Sequence, residues 1–215
     1  MKIVQTIAEV QSFVREKKKN GQSIGFVPTM GALHKGHMSL IDASKQENNV
    51  TVMSIYVNPT QFGPKEDLAS YFRPIEKDKA MARDYAVDLL FLPSDETMYS
   101  RLQSVAVTEK HLSQVLCGAY RPGHFDGVCT IVSKLLHIVN PDRLYSGMKD
   151  AQQLRIIEKW SKIYFSLCKW FQLQPREDDG LACSSCNNYL DTNRREIAPV
   201  LFQHRNKDNK HLKMV

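Results

Sequence analysis

Three short apolar runs, Ile24-Gly25-Phe26-Val27, Val50 to Val57 and Asp88-Leu89-Leu90-Phe91-Leu92-Pro93, are separated by stretches of helical periodicity. Runs that stay apolar instead of alternating mark strands covered on both faces. Buried strands joined through helices predict an α/β fold, a parallel sheet with crossover helices. One helix is predicted through Ile7, Val10, Phe13 and Val14, closed by Gly21. Two more are predicted from about Gly36 to Glu47 and from Arg73 to Ala86, and Pro28 ends the first buried strand. Further on, Val105-Ala106-Val107 reads as a short strand and Phe125 to Val139 as a long helix with an apolar face. Arg143-Leu144-Tyr145 leads into Gly147, and a helix starts at Asp150. The segment Trp160 to Gln174 has no clean period, and the charged tail from about Arg205 is expected to fray.

The 215 residues suffice for one large domain, or one domain and part of a second. No apolar run approaches the roughly 18 residues that span a bilayer. Met1-Lys2-Ile3-Val4 leads into amphipathic sequence with no signal-peptide pattern, so a cytoplasmic location is expected. Five cysteines, an odd number, imply no disulfide framework. Cys183 and Cys186 form a C-x-x-C pair but lack a second pair or histidines at ligand spacing, so no metal site is expected there. Cys117 and Cys129 read as small buried residues. Much of the net charge of +6 comes from Lys17-Lys18-Lys19 and the tail residues Arg205, Lys207, Lys210 and Lys213. Without aromatic interleaving these are solvated clusters, and neither a nucleic acid nor a membrane is expected as partner.

The chemistry gathers in loops. Pro28-Thr29-Met30-Gly31-Ala32-Leu33-His34-Lys35-Gly36-His37 joins the first strand to its helix, where open parallel sheets bind ligands. Gly31 and Gly36 permit close backbone approach, and the helix N-terminus offers N–H groups to phosphate. His34 and His37 are three residues apart and share a face on a helical turn. Two imidazoles there can donate to phosphate oxygens as charge develops on a leaving pyrophosphate. In Ser146-Gly147-Met148-Lys149-Asp150, Lys149 is a candidate phosphate cation and Asp150 is either a ligand or a helix cap. Ser184 and Ser185 lie in the glycine-led turn from Gly180 to Asn187. Asn58 and Gln61, after the second strand, can reach a hydroxyl or carboxylate, and Arg121 with His124 forms another cation-bearing loop.

Gly25 to His34, Val57-Asn58-Pro59-Thr60-Gln61-Phe62-Gly63, Arg121-Pro122-Gly123-His124-Phe125 and Lys149-Asp150-Ala151-Gln152-Gln153 together resemble the pantothenate synthetase (pantoate–β-alanine ligase) family of the nucleotidylyltransferase superfamily. The resemblance implies a Rossmann-like sheet of the HxGH type and a ligase that condenses pantoate with β-alanine through pantoyl adenylate, releasing AMP and pyrophosphate. It implies ATP and Mg²⁺, and a homodimer. ATP would lie along Met30, Gly31, Ala32, Leu33, His34, Lys35, Gly36 and His37, with His37 as proton donor and His34 beside it. Gly147, Met148, Lys149 and Asp150 would also hold ATP, joined by Pro175, Cys183, Ser184, Ser185 and Cys186. Gln61 and Gln153 would hold pantoate, with Asn58, Arg121 and His124 lining the substrate and Gln61 also reaching β-alanine.

Residues 1–175 would form the nucleotide- and pantoate-binding domain, and 176–215 the serine loop with the truncated start of a C-terminal domain. The sequence departs from the family in three places. Cys186 stands where the family has arginine after the paired serines. A charge-assisted hydrogen bond is worth roughly 1.5–3 kcal/mol, or roughly ten- to hundredfold, so lower activity is expected. Pattern is lost between Glu158 and Arg176, as a disturbed reading frame would give, and the family's C-terminal domain is expected to be largely missing after Phe202. Ser146, where the family has phenylalanine, and Met148 are smaller departures. The alternative reading is a weakly active or inactive remnant that binds nucleotide; a nucleotidylyltransferase of another acceptor is a third.

Overall fold

The computed structural model describes residues 1–64, 66, 68–99, 104–164, 169–173, 175–184, 187, 189–200, 202 and 204. Thr6 opens the first helix, α1 (Ile7–Lys19), by accepting the Glu9 N–H, while the Glu9 carboxylate returns a bond to the Thr6 N–H. This reciprocal cap satisfies two donors that a helix start leaves open. Lys17, Lys18 and Lys19 fill its last turn, where the helix dipole favours cations. Asn20 caps it, and Gly21 follows at φ +71°.

Six parallel strands form one sheet: β1 (Lys2–Val4), β2 (Ile24–Thr29), β3 (Val50–Ile55), β4 (Leu89–Phe91), β5 (Arg143–Gly147) and β6 (Lys169–Leu173). Their order is β1-β4-β3-β2-β5-β6. From β2 the chain steps outward through α2 (Lys35–Glu47) to β3, then through α3 (Ile75–Asp84) to β4. It then returns through α4 (Asp95–Met98), α5 (Cys117–Tyr120) and α6 (His124–Val139) to β5, on the other side of β2, and α7 (Ala151–Tyr164) leads to β6. The order therefore reverses at β2, and the crevice at the carboxyl ends of β2 and β5 is a topological switch point.

Strand alternation divides the core into two layers. Ile24, Phe26, Val50, Val52, Leu89, Phe91 and Leu144 face Val10 and Val14 of α1, Val128 and Ile131 of α6 and Ile157 of α7. Val27, Met53, Leu90 and Tyr145 face Met38 and Ile41 of α2 and Ala82 of α3. Each fully buried aliphatic or aromatic side chain contributes roughly 1.5–3 kcal/mol against exposure.

Three expectations are corrected, and one segment left without a pattern gains its elements. The first buried strand runs through Pro28, which pairs with Ser54. The Thr29 carbonyl accepts from the Tyr56 N–H, so Pro28 turns toward β5, with which β2 pairs only at Gly25 and Phe26. The missing proline N–H thus costs no ladder bond. Val105–Val107 is not a strand: the Val107 N–H is held by Thr130 Oγ1 at 3.0 Å, and Val105 is exposed. The patternless segment carries the end of α7 and then β6, in five-residue register with β5. Cys129 is buried as expected, but Cys117 is exposed at the start of α5. The tail from Arg205 lies outside the described residues.

Candidate functional site

His34 is the N-cap of α2 in extended conformation, and His37 is the third residue of the helix. The Gly36 N–H donates to His34 Nδ1 at 3.1 Å, and the His34 N–H donates to His37 Nδ1 at 3.3 Å. Two histidines thereby build the reciprocal cap that serine and glutamate usually make. An Nδ1 that accepts leaves the ring proton on Nε2, so each ring offers one Nε2–H donor. Burial, then the adjoining His34 and the Lys149 cation, lower the His37 pKa to about 3. Burial and Lys149 lower His34 as well, with Glu177 opposing. The pair is therefore neutral near pH 7, a donor pair at the positive end of a helix and not a store of acidic protons.

The loop that delivers them is held from behind. Ala32 adopts φ +51° and Gly31 φ +85°. The buried Asp78 of α3 accepts the Ala32 N–H at 2.9 Å and the Leu33 N–H at 2.8 Å. A Cβ on Gly31 would stand 2.9 Å from Asp78 Oδ2, so the glycine is required by close approach as well as by φ. Sequence reading missed Asp78; its one signal was a carboxylate four residues before the buried Ala82 on the apolar stripe of α3.

Across the switch point, Gly147 ends β5 and residues 148–150 follow it. The Met148 N–H is tied to the Leu173 carbonyl at 2.8 Å, and the Asp150 carbonyl accepts the Leu154 N–H that opens α7. Lys149 is exposed and close enough for its charge to depress both histidines. Over the α2 N-terminus folds a hairpin bridged by Arg176 and Ala182. The Pro175 carbonyl takes the Cys183 N–H at 3.1 Å, so in this structure Pro175 acts as a strut of the hairpin. Cys183 is buried, and a Cβ on Gly36 would lie 2.8 Å from its Cβ. Ser184 follows directly; Ser185 and Cys186 lie outside the described residues.

Gln61 ends a short 3-10 turn (Pro59–Gln61) after β3; it is buried, its Nε2 3.0 Å from Met30 Sδ. Gln153 is half-buried on the first turn of α7, and its side chain has no hydrogen-bond partner among the described residues. Its neighbour Gln152 instead braces the 112–117 segment through Leu112, Val115 and Cys117.

Three expected substrate contacts are otherwise engaged. Asn58 is buried, with both amide hydrogens and the carbonyl oxygen bonded inside the protein. His124 Nδ1 lies 2.8 Å from the Gln61 carbonyl, which can only accept, so Nδ1 carries the proton and Nε2 accepts from Arg121 Nη1 at 3.1 Å. Arg121 grips the Glu66 carboxylate through Nε and through Nη2, the latter at 2.8 Å. Loop residues that read as free polar groups in sequence have found partners far along the chain. Among the described residues no group of three or more His, Cys, Asp or Glu is placed to hold a metal ion, and no helix is long and apolar enough to cross a membrane.

The family model described as pantoate-beta-alanine ligase matches residues 2–213. The pantothenate synthetase of Caldicellulosiruptor bescii is 50% identical over 207 residues, spanning 94% of this chain and 72% of the relative. That of Geobacillus thermodenitrificans is 49% identical, spanning 94% and 71%. Among solved structures, the pantothenate synthetase of Thermus thermophilus superposes with TM-score 0.87 at 41% identity, covering 94% of this chain and 72% of that one. The pantoate-beta-alanine ligase of Francisella tularensis, complexed with beta-gamma ATP and beta-alanine, gives TM-score 0.86 at 40% identity, covering 94% and 78%.

Proposed function

Because this chain belongs to the pantoate–β-alanine ligase family, we propose that its switch-point crevice carries the ligase chemistry on the residues described above. The activity is ATP-dependent condensation of pantoate with β-alanine to pantothenate, with AMP and pyrophosphate released. The comparisons favour it over a nucleotide-binding remnant. The observation that carries the site assignment is the reciprocal His34–His37 cap, which aims two neutral Nε2–H donors from a helix N-terminus.

In this reading the β2–α2 loop, from Met30 to His37, and Gly147 to Asp150 receive ATP from the two sides of the crevice. A pantoate carboxylate oxygen attacks the α-phosphorus, and the bond to the bridging oxygen of pyrophosphate breaks. Charge growing on the departing phosphates is met by the His34 and His37 donors, fixed by their own cap before the reaction begins, and by the Lys149 cation. In the free protein burial and the neighbouring charges hold His37 neutral, so the two histidines meet the phosphates as Nε2–H hydrogen-bond donors. Gln61, whose amide N–H₂ has only the Met30 thioether beside it, and Gln153, half-buried on the first turn of α7, hold pantoate. The amine nitrogen of β-alanine then attacks the acyl carbon of pantoyl adenylate, the C–O bond to AMP breaks, and the nitrogen loses a proton. Correct positioning of the two reactants supplies much of the acceleration.

Residues 176–184, the hairpin packed on Gly36, would close the nucleotide site, as the division near residue 175 implies. Mg²⁺ would accompany the phosphates. There it would be held by phosphate oxygens and water and would supply charge neutralisation. A cytoplasmic location and a homodimer complete the reading. The test is isotope exchange between pyrophosphate and ATP without β-alanine. Exchange that requires pantoate supports the adenylate and the assigned site together when His37→Ala abolishes it; exchange indifferent to pantoate rejects the assignment.

A further inference from the structure

Asn58 and Gln61 sit on one turn, and the structure fixes which end of each amide faces which way. Asn58 Nδ2 lies 3.1 Å from the Gly127 carbonyl, a group that can only accept, so the nitrogen must be on that side. The opposite end, Oδ1, receives the Tyr99 hydroxyl at 2.6 Å and the Thr60 hydroxyl at 3.1 Å. The second Nδ2 hydrogen is directed at Gln61 Oε1, 3.2 Å away. Every hydrogen-bonding position of Asn58 is thereby used, on a side chain only 1% exposed. The consequence passes to Gln61: its oxygen is committed to Asn58, and its N–H₂ is left with the thioether of Met30, a weak acceptor.

The turn has little freedom to escape this arrangement. Gly127 of α6 touches it so closely that a Cβ there would stand 2.5 Å from the Thr60 carbonyl and 2.7 Å from Gln61 Cα. His124 holds the Gln61 carbonyl. The Tyr99 ring lies beneath the Lys134 ammonium, 4.3 Å from its centroid.

We infer that Asn58, anchored by the Tyr99 hydroxyl, is a positioning residue that locks the Gln61 amide as a hydrogen-bond donor, so that Gln61 reads oxygen acceptors and rejects donors. The inference rests on the ligase reading above and sharpens it. Gln61 holds a carboxylate or hydroxyl oxygen of the hydroxy acid. If it also touches β-alanine, it takes the carboxylate end and leaves the amine unencumbered for attack. An ammonium offered to Gln61 meets only N–H groups, an unpaired contact that selects against the reversed orientation.

The test compares steady-state kinetics of the wild-type chain with Tyr99→Phe and Asn58→Asp, using ATP, pantoate and β-alanine, with thermal melting as a control for folding. Tyr99→Phe removes one oxygen and should raise the KM for pantoate roughly five- to tenfold, leaving the KM for ATP unchanged. Asn58→Asp removes the donor to Gln61 Oε1, so the Gln61 amide turns over and presents oxygen. Its pantoate KM should rise roughly thirty- to hundredfold, again without change for ATP. An unaltered pantoate KM in Tyr99→Phe, or equal changes in both KM values, overturns the inference even if Asn58→Asp does not fold. Wild-type protein with no pantoate-dependent turnover overturns the ligase reading and the inference with it.

Discussion

The imidazole rings of His34 and His37 stand 4.1 Å apart between centroids, each with Nδ1 turned onto a backbone N–H of the same helical turn. This relationship joins stability to function. The bonds that cap α2 engage both Nδ1 atoms and so put each ring's proton on Nε2, where it can meet a ligand.

The cap makes stability depend on pH in a defined direction. Unfolded, His37 takes up a proton near 6.5; folded, it resists until about 3. Between those values the unfolded state binds more protons. The stability contribution is therefore complete above about pH 6.5 and declines as pH falls toward 3, by up to about 1.4 kcal/mol per pH unit. His34 acts in the same direction. Urea unfolding at pH 7.5, 6 and 5 should give a shallower decline for His37→Gln than for wild type. Parallel declines would show that His37 is not held neutral.

Asp78, buried on α3, supports the loop at Gly31 and Ala32. Asp78→Ala removes the acceptor for the Ala32 and Leu33 N–H groups and should cost about 2–4 kcal/mol in chemical denaturation. The loop at Gly31 and Ala32 should then relax, raising the KM for ATP roughly tenfold. Lost stability with an unaltered ATP KM would confine Asp78 to the fold.

Gly36→Ala separates propensity from packing. In a helix, alanine is favoured over glycine by about 1 kcal/mol, yet the new Cβ would lie 2.8 Å from Cys183 Cβ and 2.9 Å from His34 Cε1. Melting should change little while the hairpin is pushed off the α2 N-terminus, weakening ATP binding measured by calorimetry. Unchanged ATP affinity would mean that the hairpin takes no part in the nucleotide site.

The parts of the molecule that could be read from sequence are those set by local pattern. Apolar runs such as Val50 to Val57 mark buried strands whatever lies around them, and a glycine-bearing loop with His34 and His37 before a helix announces a ligand turn. What escaped depends on partners remote in sequence. Asn58 looks like a residue reaching for substrate until Gly127 and Tyr99 are brought against it. Arg121 looks like a free cation until Glu66 takes its fork. Pro28 reads as a strand end because the neighbour on its N–H side cannot be seen in a sequence, and β6 was hidden because its mixed residues carry no period. Asp78, on an otherwise apolar stripe, gained its meaning only from the loop it anchors.

The central claim is that this chain adenylates pantoate at the His34–His37 turn and passes the acyl group to β-alanine. Its most direct test is AMP release by the purified chain, with ATP, pantoate and β-alanine present together and with each omitted in turn. The account predicts AMP and pantothenate in equal amounts, with no AMP when pantoate is absent and none with His37→Ala. AMP formed without pantoate, or wild-type release no greater than that of His37→Ala, would contradict it.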